Sequence, residues 1–330
     1  MTGFDTATKP RREFDGYGRY LLPDPDSGKE TAWTRATTYA KSVSDTFAIT
    51  QWEMRMVTAG IGMRRDLYAL AAATPIDDKQ TLNRIAKDAK EAAAASSGAN
   101  LGTSLHAWTE AVDRGEHVTP PAPWDADINA YTKAMADAKI QPVAEWIERI
   151  VIVPELRIAG KFDRIVRLAD GTLVIDDVKT GKDLSYAWNE IAIQLAIYAN
   201  APLMWDETTR RYEPMPDLDT NRAIVAHLPV GTGTCTLYQI DIAAGWQAAR
   251  LCGDVRQWRT RKGLAAIYEE PLDRLRASVT AADLTKKIKA AECEADLIEL
   301  YLKHQPSGDW TPTHTAAATR RKQDLYTTGV

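Results

Sequence analysis

Charged residues interrupt a stretch of the chain that otherwise has the pattern of a β-hairpin. The stretch 160–182, GKFDRIVRLADGTLVIDDVKTGK, contains Asp163, Asp176, Asp177 and Lys179. Carboxylates that meet beside a lysine shift one another's pKa by repulsion, and a divalent cation removes that repulsion. Hard oxygen ligands of this kind suit Mg²⁺ or Mn²⁺. The stretch could therefore support metal-assisted chemistry, and the alternative is a solvated hairpin face with a Lys–Asp pair.

The turn of this hairpin decides whether the carboxylates meet. Because residues two apart share a face of a strand, Asp177 and Asp176 point to opposite sides. A two-residue Asp-Gly loop would place Asp163 opposite Val178, on the wrong face. A three-residue Ala-Asp-Gly loop, with Gly171 left-handed, would place Asp163 directly opposite Asp177. Both loops are common in hairpins, so the sequence alone leaves both registers open.

Two polar pairs at helical spacing accompany the hairpin. His106 and Glu110 are one turn apart in GTSLHAWTE, at the edge of the apolar stripe of a predicted helix. Gln194 and Tyr198 have the same spacing in QLAIY, on a helix that begins soon after the hairpin. Each pair alone also fits an ordinary amphipathic helix, with a packed histidine in the first and a polar border in the second.

In series, these motifs resemble the RecB-type nucleases of the PD-(D/E)XK superfamily. The order histidine, GxxD, DxKTG, QxxxY is found here as His106, Gly160 to Asp163, Asp177 to Gly181, and Gln194 to Tyr198. The stretch TRATTYAKSVSDTFAITQWEMRMVTAGIG also resembles the leader of phage-encoded RecB-like exonucleases. The resemblance implies an α/β fold with a restriction-endonuclease-like core, a mixed central sheet flanked by helices, and helical additions at both ends.

The resemblance also implies roles for individual residues. One or two Mg²⁺ or Mn²⁺ ions would be bound by His106, Asp163, Asp177 and the backbone carbonyl of Val178. Lys179 would orient the attacking water and neutralise charge in the transition state. Asp163, Asp177 and Lys179 are therefore the expected catalytic set.

Supporting roles in the same scheme fall to five further residues. Gln194 and Tyr198 would position the DNA strand near the metal. Glu110 is a candidate outer-shell partner of His106 or its water, and Glu148 is a weaker candidate of the same kind. Asp176 is expected to be structural.

A basic segment, residues 250–263, follows the predicted core. Its cations surround Trp258 and are Arg250, Arg256, Arg259, Arg261 and Lys262. Such a segment could follow the phosphates of DNA. A solvated helix face is the alternative interpretation.

Composition limits the other functions that the chain could have. The net charge of −4 over 330 residues gives no global basic field, so any DNA contact needs a local patch. Three scattered cysteines (Cys235, Cys252 and Cys293) indicate a reducing compartment and do not supply the four thiolates of the iron–sulfur cluster found in some RecB-like nucleases. The phosphate-binding pattern GxxxxGK[ST] does not occur, so no ATP site is expected. Without a long apolar run or a signal-peptide pattern, the sequence predicts a soluble, cytoplasmic protein with no membrane partner, in the host cytoplasm if it is phage-encoded.

The sequence thus predicts a metal-dependent DNA exonuclease of phage recombination, replication or repair. A structure-specific or site-specific endonuclease and a non-catalytic DNA-binding protein on the same fold are the alternatives. Strand polarity, single- or double-strand preference, oligomeric state and a single-strand annealing partner stay open. The predicted organisation is a helical N-terminal region packed on the core (1–97), a nuclease core (98–245), C-terminal helices (246–305) and a flexible tail (306–330).

Overall fold

The fold is a mixed α/β arrangement, as the sequence predicts. The computed structural model describes residues 13–93, 97–265 and 272–327. Within these ranges a central, mostly antiparallel sheet is flanked by helices. In chain order the strands are β1 (Tyr20–Pro23), β2 (Glu30–Arg35), β3 (Gln141–Val153), β4 (Ile158–Arg167), β5 (Leu173–Lys179), β6 (Leu203–Asp206), β7 (Arg211–Pro214), β8 (Arg222–His227) and β9 (Thr236–Asp241).

The helices precede, interrupt and follow this sheet. They are α1 (Ala36–Ala40), α2 (Phe47–Met63), α3 (Arg65–Ala73), α4 (Lys79–Ala92), α5 (Ser97–Asp113), α6 (Trp124–Asp137), α7 (Trp188–Ala199), α8 (Ile242–Arg259), α9 (Leu272–Ala290), α10 (Glu294–His304) and α11 (Pro312–Thr327). Among the helices in the described ranges, none is both long enough and apolar enough to cross a membrane.

The strands follow the order β7-β6-β3-β4-β5-β8-β9 across the sheet. Neighbours are antiparallel except β5 with β8, and β2, which pairs in parallel with the start of β4 through Thr34 and Arg35. The far end of β4 pairs with β5 instead. The GxxD motif therefore lies where β4 passes from pairing with β2 to pairing with β5.

The alternation of side chains along β4 and β5 separates two hydrophobic cores. Ile165 and Ile175 lie in the core that includes α1, α7 and α8. Val166, Val174 and Val178 lie in the core formed with α5 and α6. Because side chains alternate along a strand, each strand delivers its charged residues to both sides of the sheet.

The N-terminal region differs from prediction, because the sequence predicts a helical region in which LLPDPDSGKE, residues 21–30, is a loop. Residues 20–23 and 30–35 are strands β1 and β2, which pair with each other and carry buried Tyr20, Leu22 and Trp33. The interpretation as a loop relied on the Pro, Asp and Gly residues between them, and these form the turn of this short hairpin. Helices α2 to α4 follow as predicted and enclose a small core of their own.

The C-terminal region also differs from prediction. One compact unit extends to Gln257 and a second begins at Trp258, whereas the sequence placed the end of the core at residue 245. Helix α8 accounts for the shift, because its Ala249 and Cys252 are buried in the first unit.

The segment predicted as a flexible tail contains helix α11. Together with α9 and α10 it encloses the core of the second unit, around Leu284 and Ile288. His314 is buried, and its Nε2 lies 3.0 Å from the carbonyl oxygen of Ala281. The apolar contribution of α11 comes mainly from alanines, which is why the tail showed no clear apolar pattern.

Candidate active site

The β4–β5 turn has the three-residue loop. The Leu168 N–H donates to the carbonyl oxygen of Thr172, and the Gly171 N–H donates to the carbonyl oxygen of Leu168, each at 2.9 Å. Gly171 has φ +87°. Glycine adopts this left-handed conformation without the steric strain that a Cβ causes. The register pairs Arg164 with Asp176, and continuing it by one residue brings Asp163 opposite Asp177.

Asp163 is held by contacts from two directions. Its Oδ2 lies 3.3 Å from His106 Nδ1 on α5 and accepts a 2.8 Å hydrogen bond from the Val178 N–H on β5. Burial would raise the pKa of Asp163, but His106, followed by Arg164 and Lys179, holds it below its ordinary value. The carboxylate is therefore ionised at neutral pH.

Asp177 lies beside Lys179, with 2.5 Å between Oδ2 and Nζ. The Lys179 ammonium is therefore the partner of this buried oxygen. Burial raises the pKa of Asp177; Lys179 opposes this rise and the charge of Asp163 adds to it. Two carboxylates thus lie close together in a site whose positive charge comes from Lys179 and His106.

A divalent cation fits these residues. The donors are two carboxylates and one imidazole, which suit Mg²⁺ or Mn²⁺. A cation would also relieve the repulsion of Asp177 from Asp163. Within the described ranges, no group of three or more His, Cys, Asp or Glu side chains lies close enough together to form a preformed metal site.

Helix α7 lies against β4 directly beside the site. Gln194 Nε2 donates to the hydroxyl of Tyr198 at 3.0 Å, and Tyr198 is buried. A Cβ at Gly160 would lie 2.5 Å from the Tyr198 ring and 2.8 Å from the Cβ of Ala36, so the glycine of GxxD permits this close packing. Gln194 is half-buried and so keeps more exposure than Tyr198, which fixes the position of its amide.

The two outer-shell candidates have other partners. Glu110 accepts a 2.8 Å hydrogen bond from Arg114, one helical turn later. Its carboxylate is thus paired with Arg114 and not with His106. Glu148 contacts the ammonium of Lys161. Glu148 also lies across from Asp163, between the Ile147–Arg164 and Arg149–Phe162 pairs of the β3–β4 ladder, and its φ is +56°. That conformation is uncommon for a residue other than glycine, so Glu148 is held in place close to the site.

The opposite side of the hairpin carries a buried ionic cluster that the sequence analysis missed. Arg164 Nη1 lies 2.5 Å from Asp113 Oδ2 and donates to the hydroxyl of Tyr131. Tyr131 donates in turn to Asp113 at 2.9 Å, and Arg164 Nε lies 3.6 Å from Asp176. The signal in the sequence was Asp113, two helical turns after His106, together with an arginine inside an apolar strand.

Burial changes the protonation of this ionic cluster. It raises the pKa of Asp176 to about 8 and that of Asp113 to about 6, while Arg164 opposes both shifts. At neutral pH Asp113 is therefore mostly ionised and balances Arg164, and Asp176 is mostly neutral. The side chain of Asp176 points to the opposite face of β5 from that of Asp177, as expected for a structural residue.

The basic segment is divided between the two compact units. In the first unit, Arg250 lies 5.9 Å from the ring of Trp246, and Arg256 lies 5.4 Å from the ring of Tyr39. The other three cations, Arg259, Arg261 and Lys262, belong to the second unit. Arg256 is therefore engaged with the core of its own unit.

A comparison with protein-family models identifies the family of this chain. The family model of the PD-(D/E)XK nuclease superfamily matches residues 78–296, and the chain belongs to that superfamily. No curated protein matches the sequence. The class of protein is thus defined as a nuclease-superfamily domain, whose characteristic activity is the cleavage of nucleic acid.

Proposed function

We propose that this protein is a divalent-metal-dependent DNA exonuclease of the RecB type. The observation that supports this most directly is the meeting of two carboxylates across β4 and β5. One of them, Asp163, contacts His106, and the other, Asp177, contacts Lys179. This arrangement is what hydrolysis of a phosphodiester requires, namely ligands for a metal and a cation beside them.

His106, Asp163, Asp177 and the Val178 carbonyl would hold the metal. When bound, Mg²⁺ or Mn²⁺ would polarise the scissile phosphate and lower the pKa of an attacking water. The hydrogen bond that Asp163 accepts from Val178 keeps this carboxylate oriented before the metal arrives.

Lys179 would act as a cation and hydrogen-bond donor. Burial would lower the pKa of Lys179, but the adjacent carboxylates of Asp177 and Asp163 raise it above its ordinary value. The ammonium therefore keeps its proton at neutral pH when no metal is bound. Its role is to donate to the attacking water or to a phosphate oxygen, and so to stabilise developing negative charge.

Gln194 would contact the DNA strand, with Tyr198 as its positioning residue. Of the basic residues of 250–263, Arg250 lies in the same compact unit as the site and would add a phosphate contact. The resemblance to phage-encoded RecB-like exonucleases supports DNA as the substrate, attack from an end, and a role in recombination, replication or repair.

The decisive experiment compares linear and closed circular DNA of the same sequence. End-labelled linear duplex should be degraded with Mg²⁺ or Mn²⁺, the circle should survive, and EDTA should abolish the reaction. Ca²⁺, which coordinates differently, should support binding with little turnover. The Lys179→Ala variant is the control: it should bind metal yet cleave about 10²- to 10³-fold more slowly.

Three outcomes of this experiment would contradict the proposal. Digestion of the circle at the rate of the linear form would indicate an endonuclease. Full activity in EDTA would exclude the metal, and undiminished cleavage by Lys179→Ala would place the chemistry elsewhere.

A further inference from the structure

A group of aromatic side chains beside the candidate active site has no part in the scheme above. The Trp188 and Tyr238 rings have centroids 4.8 Å apart, and the His227 ring lies 6.2 Å from Tyr238. Tyr186 precedes Trp188 by two residues, in the segment that joins β5 to α7. These four side chains, Tyr186, Trp188, His227 and Tyr238, are here called the aromatic surface.

The sheet connects the aromatic surface to the carboxylates. Asp177 on β5 pairs with Val225 on β8, and Val225 pairs with Tyr238 on β9. Residues in one such row point to the same side of a sheet, and two strand spacings amount to about 10 Å. Tyr238 therefore lies about 10 Å from Asp177 on the same side of the sheet.

The next row gives a second connection. Lys179 pairs with His227, and the Leu228 N–H donates to the carbonyl of Lys179 at 2.8 Å. His227 Nε2 lies 2.7 Å from the carbonyl oxygen of Gly181, which fixes the ring beside the chain that leaves the site. The aromatic surface thus begins at His227, the residue paired with Lys179 on the adjacent strand.

Exposure distinguishes the members of the aromatic surface. Trp188 packs partly against the core, which accounts for its presence. Tyr238 is 39% exposed and Tyr186 is 93% exposed, so core packing does not account for the position of Tyr186. A flat aromatic side chain held in solvent beside a nuclease site is available to stack on a base.

The charge of this region favours bases over phosphates as the bound groups. The exposed cation Lys182 is followed directly by Asp183, whose carboxylate accepts 2.8 Å hydrogen bonds from the N–H and hydroxyl of Ser185. Positive and negative charge are balanced here, so phosphate attraction is weak. Stacking remains, and it requires bases that are not paired in a duplex.

We propose that the aromatic surface binds the unpaired bases of a single DNA strand next to the scissile phosphate. This inference rests on the proposed nuclease function and adds that the strand is single where it leaves the site. A duplex hides the faces of its bases, whereas every unpaired base offers one to an aromatic ring.

The test measures binding separately from cleavage. A short labelled single strand of mixed sequence and the matching duplex are titrated with the full chain, in EDTA and in Ca²⁺, and followed by fluorescence anisotropy. Tyr186→Ala and Tyr238→Ala should each raise the Kd for the single strand about 5- to 100-fold. The Kd for the duplex should change less than about 2-fold, and Tyr238→Phe should keep the affinity because it keeps the ring.

Tyr68→Ala is the matched control, since Tyr68 is 66% exposed on α3 and is not part of the aromatic surface. Its Kd should equal that of the unchanged protein. The inference is overturned if the unchanged chain does not bind the single strand, if both tyrosine variants bind it normally, or if single strand and duplex lose affinity equally. Normal cleavage of linear DNA by the unchanged protein in any of these cases would leave the proposed nuclease function standing and reject the aromatic surface alone.

Discussion

The two sides of the β4–β5 hairpin both carry buried charged groups, yet these groups differ in their exposure to solvent. On one side, Lys179 retains 23% of its side-chain exposure beside the carboxylate of Asp177. On the other side, Arg164 is 2% exposed and Asp176 is fully buried and mostly neutral at pH 7. Charged residues in a strand therefore do not define a site by themselves. The side proposed to be reactive is the one where a charged group, Lys179, keeps some exposure to solvent.

Among the substitutions on the two sides, Asp177→Asn should cause the largest loss of turnover. The amide keeps the size of the side chain and removes the charge proposed to hold the metal. Turnover should fall by more than about 10³-fold, beyond the loss expected for removing one hydrogen-bond donor. Because burial already raises the pKa of Asp177, the thermal midpoint should not fall. Initial rates on end-labelled DNA at saturating Mg²⁺ and a thermal unfolding curve test both parts, and near-normal turnover would refute the role.

The next effect concerns stability and belongs to the buried side. Arg164→Met leaves Asp113 buried without its cation, so the free energy of unfolding should fall by about 3–5 kcal/mol. Urea denaturation measures this. Lys133→Met is the control, because its partner Asp137 is one turn away on the exposed face of α6, and its loss should be far smaller. Equal losses for the two variants would show that the ionic cluster of Arg164 does not hold the sheet to α5 and α6.

A smaller effect is expected at the turn that sets the register of both sides. At Gly171, φ is +87° and the space around a Cβ is open, so the cost of Gly171→Val is backbone strain alone. The free energy of unfolding should fall by about 1–2 kcal/mol, and the affinity for Mn²⁺ should weaken with it. Gly171→Asn should cost less, because asparagine tolerates the left-handed region. Equal stabilities for the two variants in urea would contradict this explanation.

The smallest effect is expected for Asp176→Asn, with turnover measured at saturating Mg²⁺ and stability measured without added metal. Asparagine resembles the neutral acid, so activity and stability at neutral pH should be nearly kept. The folded-state pKa of about 8 exceeds the unfolded value, so in the unchanged protein this group lowers stability as pH rises from about 4 to about 8. The variant should lack that decline. A dead Asp176→Asn beside an active Asp177→Asn would mean that the two sides have been assigned the wrong way round.

Much of the site could be deduced from strand periodicity. The period of two placed Asp177 with Lys179 and separated Asp176 from them. The register was not deducible, because two-residue and three-residue loops have similar local cost and the choice depends on the packing of both strands. The cluster of Arg164 with Asp113 and Tyr131 joins three elements that are distant in sequence, and no local pattern reports such a contact.

Elsewhere, the errors arose where local signals were weak or misleading. Strands β1 and β2 are short and flank a turn rich in Asp, so the stretch resembled a loop. Strands β6 and β7 have four residues each and were likewise not predicted. Helix α11 buries few large apolar residues, so its docking depends on His314 and on neighbours that the sequence does not place nearby.

The packing of Gly160 under Tyr198 has a consequence for how this chain tolerates variation. At position 160 the limit is volume, since even the methyl group of alanine would push α1 and α7 away from the sheet. At position 171 the limit is a dihedral angle, and no neighbouring atom lies within 4 Å of an added Cβ. In a randomised library of the hairpin, functional survivors would keep glycine alone at 160 and would admit asparagine at 171. Two glycines of one short segment would thus leave different substitution signatures, one recording space and the other recording backbone conformation.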